Sequence, residues 1–208
     1  MTTAIKEKKP APADVVFGQY QTGTWRITGM SPLLMDNGDQ VLNAATGAKT
    51  KQVASEKDAI PRLYRNLDGT LYLPTAAFRK CLVSIKHMTL GKTTAASVLR
   101  SSVFTVAPKT PLLYPKSSKP IKEFEVIPHV VTNRKTAGGL SRLVAFRPVI
   151  NEWAADLMLS IDVGQLADPA SDITKFLNRQ GVKCGVGCFR VENGGEYGRF
   201  KAEFVGME

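Results

Sequence analysis

The chain has 208 residues, 43% of them hydrophobic, enough for one domain to bury a sizeable core. No apolar run approaches the roughly 20 residues of a membrane span, and the amino-terminal MTTAIKEKKPAPAD has lysines with no apolar stretch after them, unlike a secretory leader. The formal net charge of +10 points towards an anionic partner.

Residues 1–21 read as a disordered tail and 22–208 as a single domain. Thr22 to Gly29, TGTWRITG, alternates Trp25 and Ile27 with Arg26 and Thr28, the period of a strand. MSPLLMDNGDQ then turns away, with Asn37-Gly38 as the turn signal. Asp36 and Asp39 fall in this loop. A metal-dependent ribonuclease would use such residues to hold an ion or activate a 2′-hydroxyl, and loop aspartates equally make turns. Residues 43–57 are small and polar, a loose loop. Leu71-Tyr72-Leu73 reads as a short strand ending at Pro74. Thr75 caps a predicted helix reaching about Met88, with Phe78, Leu82, Ile85 and Met88 on one stripe. Arg79, Lys80, Lys86 and His87 share the other side, so its solvent face is cationic.

From Gly69 to Lys122 there is no Asp or Glu, while Arg79, Lys80, Lys86, Lys92, Arg100, Lys109, Lys116, Lys119 and Lys122 lie there. A one-signed segment repels itself unless a polyanion approaches, although such runs also serve as solvated surface. Residues 89–140 read as an extended, basic, hairpin-like insertion with no helix, flexible at its tip TNRKTAGG, which carries Arg134 and Lys135. Leu90 to Ser97, LGKTTAAS, looks like half a phosphate-binding loop. Lys86 stands where the first glycine is needed, and a helix precedes it rather than a strand, so a basic loop is the better reading. Cys81, Cys184 and Cys188, with His87 and His129 far off, have no zinc spacing and read as free thiols in a cytoplasmic protein; no metal or cofactor is expected. No GxSxG or HExxH occurs, so no catalytic residue is assigned.

Arg142 to Val149 and Trp153 to Val163 are predicted strands joined near Asn151. Asp168-Pro169 opens a helix with Ile173, Phe176 and Leu177 on its buried stripe and Gly181 as its stop. GVGCFRVENGGEYGRF follows, from Gly185 to Phe200. Asn193-Gly194 is a hairpin signal that accounts for Gly194 and Gly195. Gly185, Gly187 and Gly198 fit close backbone approach. Arg190 and Arg199 stand beside Phe189 and Tyr197, suited to a phosphate or a base, and strand alternation would bury about half of these rings. A last strand alternates Phe200, Ala202 and Phe204 with charged residues. Without insertions the order is strand, helix, strand, strand, helix, strand. This is an α+β, ferredoxin-like (RNA-recognition-module-like) βαββαβ core with a long basic insertion after the first helix, and one sheet face is free to bind.

The chain resembles the RAMP superfamily, especially the guide-RNA-binding backbone subunits of multi-subunit CRISPR effector complexes. WRITGMSPLLM, LYLPTAAFRKCL, the insertion after the first helix and the glycine-rich GVGCFRVENGGEYGRF carry the resemblance, over about Thr22 to Val205. Thr75, Ala76 and Ala77 stand where relatives often place a glycine and two serines, while Phe78 and Arg79 keep the hydrophobe and the basic residue. The resemblance implies a protein that stacks head to tail along single-stranded guide RNA, with the insertion as a thumb and other effector subunits as partners. Arg79, Lys80, Lys86, Lys92, Arg134, Lys135, Arg142, Arg190 and Arg199 would contact nucleic acid, and Gly185, Gly187, Gly194, Gly195 and Gly198 would form the glycine-rich loop. Open alternatives are a phage single-stranded DNA-binding or annealing protein, a ribonuclease built on Asp36 or Asp39, and an inhibitor that mimics a backbone subunit.

Overall fold

The computed structural model describes residues 19–37, 55–134 and 140–208. In chain order the elements are β1 (Tyr20–Gly29), β2 (Leu33–Leu34), α1 (Glu56–Ala59), β3 (Tyr72–Pro74), α2 (Thr75–Val83), β4 (Thr89–Leu90), β5 (Thr93–Thr94), α3 (Ala95–Ser102), β6 (Val103–Thr105), β7 (Lys109–Leu113), β8 (Glu125–Arg134), β9 (Leu140–Ile150), β10 (Ala154–Asp162), α4 (Pro169–Lys183) and β11 (Phe200–Met207). The main sheet is antiparallel in the order β11–β1–β10–β7–β3, and β6 pairs with β10 beside β7. A second antiparallel sheet runs β2–β9–β8. The protein is therefore α+β with antiparallel sheets. The tail expected at 1–21 lies outside the described residues up to residue 18, and β1 already begins at Tyr20.

Period-2 alternation buries Trp25 and Ile27 of β1, and Leu157, Leu159 and Ile161 of β10, against α2 and α4. From the helices come Phe78, Leu82, Ile173, Phe176 and Leu177. Burying each such side chain contributes roughly 1.5–3 kcal/mol. Both indoles are paired, as buried N–H groups must be. Trp25 Nε1 donates to Thr174 Oγ1 at 2.9 Å, and Trp153 Nε1 donates to the Ser31 carbonyl at 3.0 Å. Asp168 caps α4 by accepting from the Ser171 N–H at 3.1 Å, with Pro169 in the first turn.

The local structure departs from the sequence reading in four places. First, α2 stops at Val83 rather than near Met88. Ser84 closes it with its N–H on Lys80 and Cys81 carbonyls and its hydroxyl on Cys81, and His87 turns the chain at φ 57°. Ile85 stays buried all the same. Second, the 89–140 segment holds a helix. In α3, Ala95, Leu99 and Ser102 face inward, but the run is only eight residues between the β-branched Thr94 and Val103, too short for a clear period. Third, that segment is not one arm. β6 and β7 join the main sheet, and β8 opens the second sheet. Fourth, no hairpin forms at Asn193-Gly194. Val191–Asn193 make a 3₁₀ turn closed by Gly194 at φ 78°. The surrounding N–H groups bond to β2, to the turn before it and across the loop itself: Cys188 to Leu34, Gly198 to Pro32 and Val186 to Gly198.

The sheet face expected to bind is not cationic. Arg26 pairs with Asp156 at 3.2 Å and also donates to Ser118 Oγ, and Lys201 pairs with Glu203 at 2.9 Å. Both pairs sit at positions alternating with the buried residues of β1, β10 and β11. Charges satisfied in this way offer little to a phosphate.

Candidate nucleic-acid interface

One group of cations lies elsewhere, where α2 and α4 both end. Ser84, Lys86 and His87 follow α2, and Arg179, Gln180, Lys183 and Cys184 close α4. Together with Glu192 they line a cleft of about 230 Å³. Gln180 holds the two helix ends together. Its buried amide donates to the Cys81 carbonyl at 3.1 Å and to Ser84 Oγ at 2.8 Å. The Arg190 guanidinium grips Glu192 at 2.8 and 3.0 Å, and the Cys184 thiol donates to the same oxygen at 3.3 Å. Arg190, then Cys184, hold the Glu192 carboxyl below its ordinary range, and the Lys80 charge adds to this. Each helix C-terminus contributes only about half a negative charge. Lys80, Lys86, Arg179, Lys183 and Arg190 therefore outweigh Glu192 and both dipoles, and the cleft keeps a positive balance.

Of the residues expected to bind nucleic acid, Lys80, Lys86 and Arg190 come together here. Lys92 is exposed at the turn between β4 and β5. Arg79 has a structural task. Its Nε and Nη2 donate to the Val103 and Arg100 carbonyls at 2.7 and 2.9 Å, and its guanidinium lies 5.6 Å from the Phe104 ring centroid. Arg134 and Arg142 occupy the far end of the β8–β9 hairpin, opposite Leu140 and Thr132 in register. Lys135 and Asp39 lie outside the described residues. The Arg199 N–H donates to Ser31 Oγ at 3.0 Å, and its buried Nε has no partner among the described residues.

The glycine-rich loop owes its glycines to the fold. At Gly198, with φ 68°, a Cβ would sit 1.7 Å from the Val186 carbonyl oxygen, and at Gly187, with φ 82°, 2.7 Å from that of Leu34. Gly195 has the Phe189 carbonyl at 1.7 Å, and Gly185, at φ 71°, faces the Gly198 carbonyl at 3.0 Å. Gly194 alone of the five would place a Cβ in open space. The rings of Phe189 and Tyr197 stay outside the core, unlike Phe200 at the end of the stretch. Phe189 and Tyr197 both pack on His129 of β8, with centroids 3.7 and 6.0 Å away.

Asp36 is held between two arginines, Arg62 at 2.5 Å and Arg147 at 3.3 Å. A carboxylate so engaged has few lone pairs left for an ion. Among the described residues no cluster of three His, Cys, Asp or Glu side chains could hold a metal, and no helix is long and apolar enough to cross a membrane. The three cysteines are free. Cys81 is pushed above the ordinary thiol range by its hydrogen bond with Cys184 and by burial, so it stays protonated.

Two solved structures are similar to this chain. One is a chain of the type III-B Cmr-beta complex bound to cognate target RNA, at 13% identity and a TM-score of 0.48, with 91% of this chain and 60% of that chain covered. The other is Cmr6 from Pyrococcus furiosus, at 9% identity and a TM-score of 0.47, with 88% and 98% covered. The chain thus spans 60% of the length of the first. No protein-family model and no curated protein matches it.

Sequence reasoning missed Arg179 and Lys183. Their signal was present: Lys175, Arg179 and Lys183 recur at four-residue spacing on α4, away from the buried Ile173, Phe176 and Leu177. His129 carries no local signal in the sequence that announces its two ring neighbours.

Proposed function

We propose that this protein binds single-stranded nucleic acid, RNA in the first place, without catalysis, and that it assembles head to tail along the strand. The observation that carries this reading is the convergence of Lys86, Arg179 and Lys183 in one cleft, with Lys80 near it and the Arg190 charge paired with Glu192. A groove of fixed cations is what a sugar-phosphate backbone requires, independent of its sequence. The core is read as ferredoxin-like, β1–α2–β6/β7–β10–α4–β11, supported by the antiparallel order β11–β1–β10–β6. The β8–β9 hairpin, rather than the whole of 89–140, is the thumb in this reading. The arginine pairing of Asp36 favours a structural aspartate over a cleaving one. Association with other effector subunits in the cytoplasm follows from the RAMP resemblance.

The test is fluorescence anisotropy on protein stripped of host nucleic acid. The probes are labelled single-stranded RNA, the same sequence as DNA, and duplex DNA, each at low and high salt and at several lengths. The reading expects salt-sensitive binding to RNA that strengthens with length. A DNA preference would redirect it to phage single-strand binding or annealing. No binding to any probe would overturn it.

A further inference from the structure

The glycine-rich loop has a second concave side. The 3₁₀ turn Val191–Asn193 divides it: Glu192 lines the cationic cleft, while Gly194 and Gly195 line another of about 500 Å³. Its other walls are Ser31, Pro32, His129 and Tyr197. This volume lies within the roughly 300–1,000 Å³ typical of small-ligand sites. The His129 ring is fixed from behind by Phe189, tilted 51° at 3.7 Å, and from the side by Tyr197, nearly perpendicular at 6.0 Å. Phe189 is a non-glycine residue in the left-handed region, at φ 47°. Such a backbone costs of order 1–3 kcal/mol and persists only where the surroundings enforce it. Here it holds a ring against a ring beside an open cleft. Gly194 contributes no side chain, and a Cβ there would meet nothing.

The chemistry of the walls selects an occupant. Two rings and a proline offer stacking surface. Glu196 at the edge repels phosphate and can accept from an exocyclic amine. Burial and the Arg147 charge push the His129 imidazole below its ordinary value of 6.5, so the ring is neutral near pH 7. We propose that the cleft between His129, Tyr197, Pro32 and the Gly194–Gly195 turn takes one unpaired nucleobase of the strand whose phosphates lie in the cationic cleft. This rests on the nucleic-acid reading above. Phosphate and base then flank one turn of chain, the arrangement single-strand binders combine.

The experiment compares two ligands of equal charge: a 12-nucleotide oligoadenylate and a ribose-phosphate chain of the same length without bases. Wild-type protein is expected to bind the first about tenfold more tightly. His129→Gln and, separately, Tyr197→Leu are expected to shrink that ratio towards one. Lys86→Gln with Lys183→Gln is expected to weaken both ligands alike. The thermal midpoint of each variant checks its fold. Oligoadenylate carrying 2-aminopurine, added to wild type, gives a readout free of mutation, because stacking quenches its fluorescence. Equal binding of the two ligands with no quenching would overturn the base site and leave the cationic cleft standing. So would a preference for oligoadenylate that survives both ring variants, which would leave the ring cleft to a protein partner. Failure to bind either ligand would overturn the nucleic-acid reading and this inference with it.

Discussion

Neutralising Lys86 and Lys183 together, as glutamines, is the sharpest probe of the cationic cleft. Both side chains are exposed, so the double variant should keep its stability to within about 0.5 kcal/mol. For a single strand, log K falls by about 0.7 per neutralised phosphate for each tenfold rise in salt. Losing two contacts should lower that slope by about 1.4. If the electrostatic contribution vanishes near 1 M salt, binding at about 0.1 M should weaken roughly 25-fold. Glutamine is preferable to glutamate because a reversed charge repels the strand from a distance and inflates the effect. The assay is anisotropy of a labelled single-stranded RNA across a sodium chloride series. Lys201→Gln serves as the control, since Lys201 is paired with Glu203 on the far sheet face. An unchanged slope in the double variant would refute the assignment of the cleft. A fall just as large in the control would refute it too, because the attraction would then belong to net charge rather than to a site.

Four further outcomes follow from the geometry. Arg79→Met should destabilise the fold by about 1–3 kcal/mol, because it strands the Val103 and Arg100 carbonyls, while RNA affinity changes less than in the cleft variants; urea melts and anisotropy check the two halves. Among loop glycines changed to alanine, Gly194 should lose only the roughly 1–2 kcal/mol of a left-handed backbone, and Gly198, with a carbonyl in the way as well, should lose the most; thermal midpoints in the reverse order would sink the account. Asp36→Ala should destabilise by about 3 kcal/mol by leaving Arg62 and Arg147 without their shared carboxylate, so any lost activity in that variant must be read beside its melting curve. The folded His129 binds its proton at lower pH than the unfolded chain, so stability should fall as pH drops below about 6.5 towards the folded value, and His129→Gln should flatten that slope in melts across the range.

Much of the fold is written in local pattern. The Trp25/Ile27 alternation and the Asp168-Pro169 cap each mark an element by its own residues, and both were found where expected. Helix α3 escaped because eight residues give barely two turns of period, with β-branched neighbours on either side. The cleft escaped for another reason. Its two halves meet through Gln180 and Ser84, 96 positions apart, and no local pattern records that meeting. Arg79 misled in the opposite direction. In the sequence it is one more cation in an acid-free run, but its spacing from Arg100 and Val103 in three dimensions turns it inward.

Charge density along a sequence and charge available to a ligand are therefore different quantities here. Within the acid-free segment, Arg79 bonds to carbonyls, and Lys109 bonds to Asn66 and lies 4.5 Å from the centre of the Tyr72 ring. Across the open sheet face Arg26 and Lys201 are neutralised by neighbours. The positive cleft is set by where α2 and α4 end, and that is fixed by the Ser84 cap, the Gln180 amide and the left-handed turn at His87. The same logic governs the glycine-rich loop. Four of its five glycines are required for backbone to pass backbone, and this packing brings Phe189 and Tyr197 to His129. Its glycines thus fix the rings on one side of the loop and Glu192 with its arginine on the other.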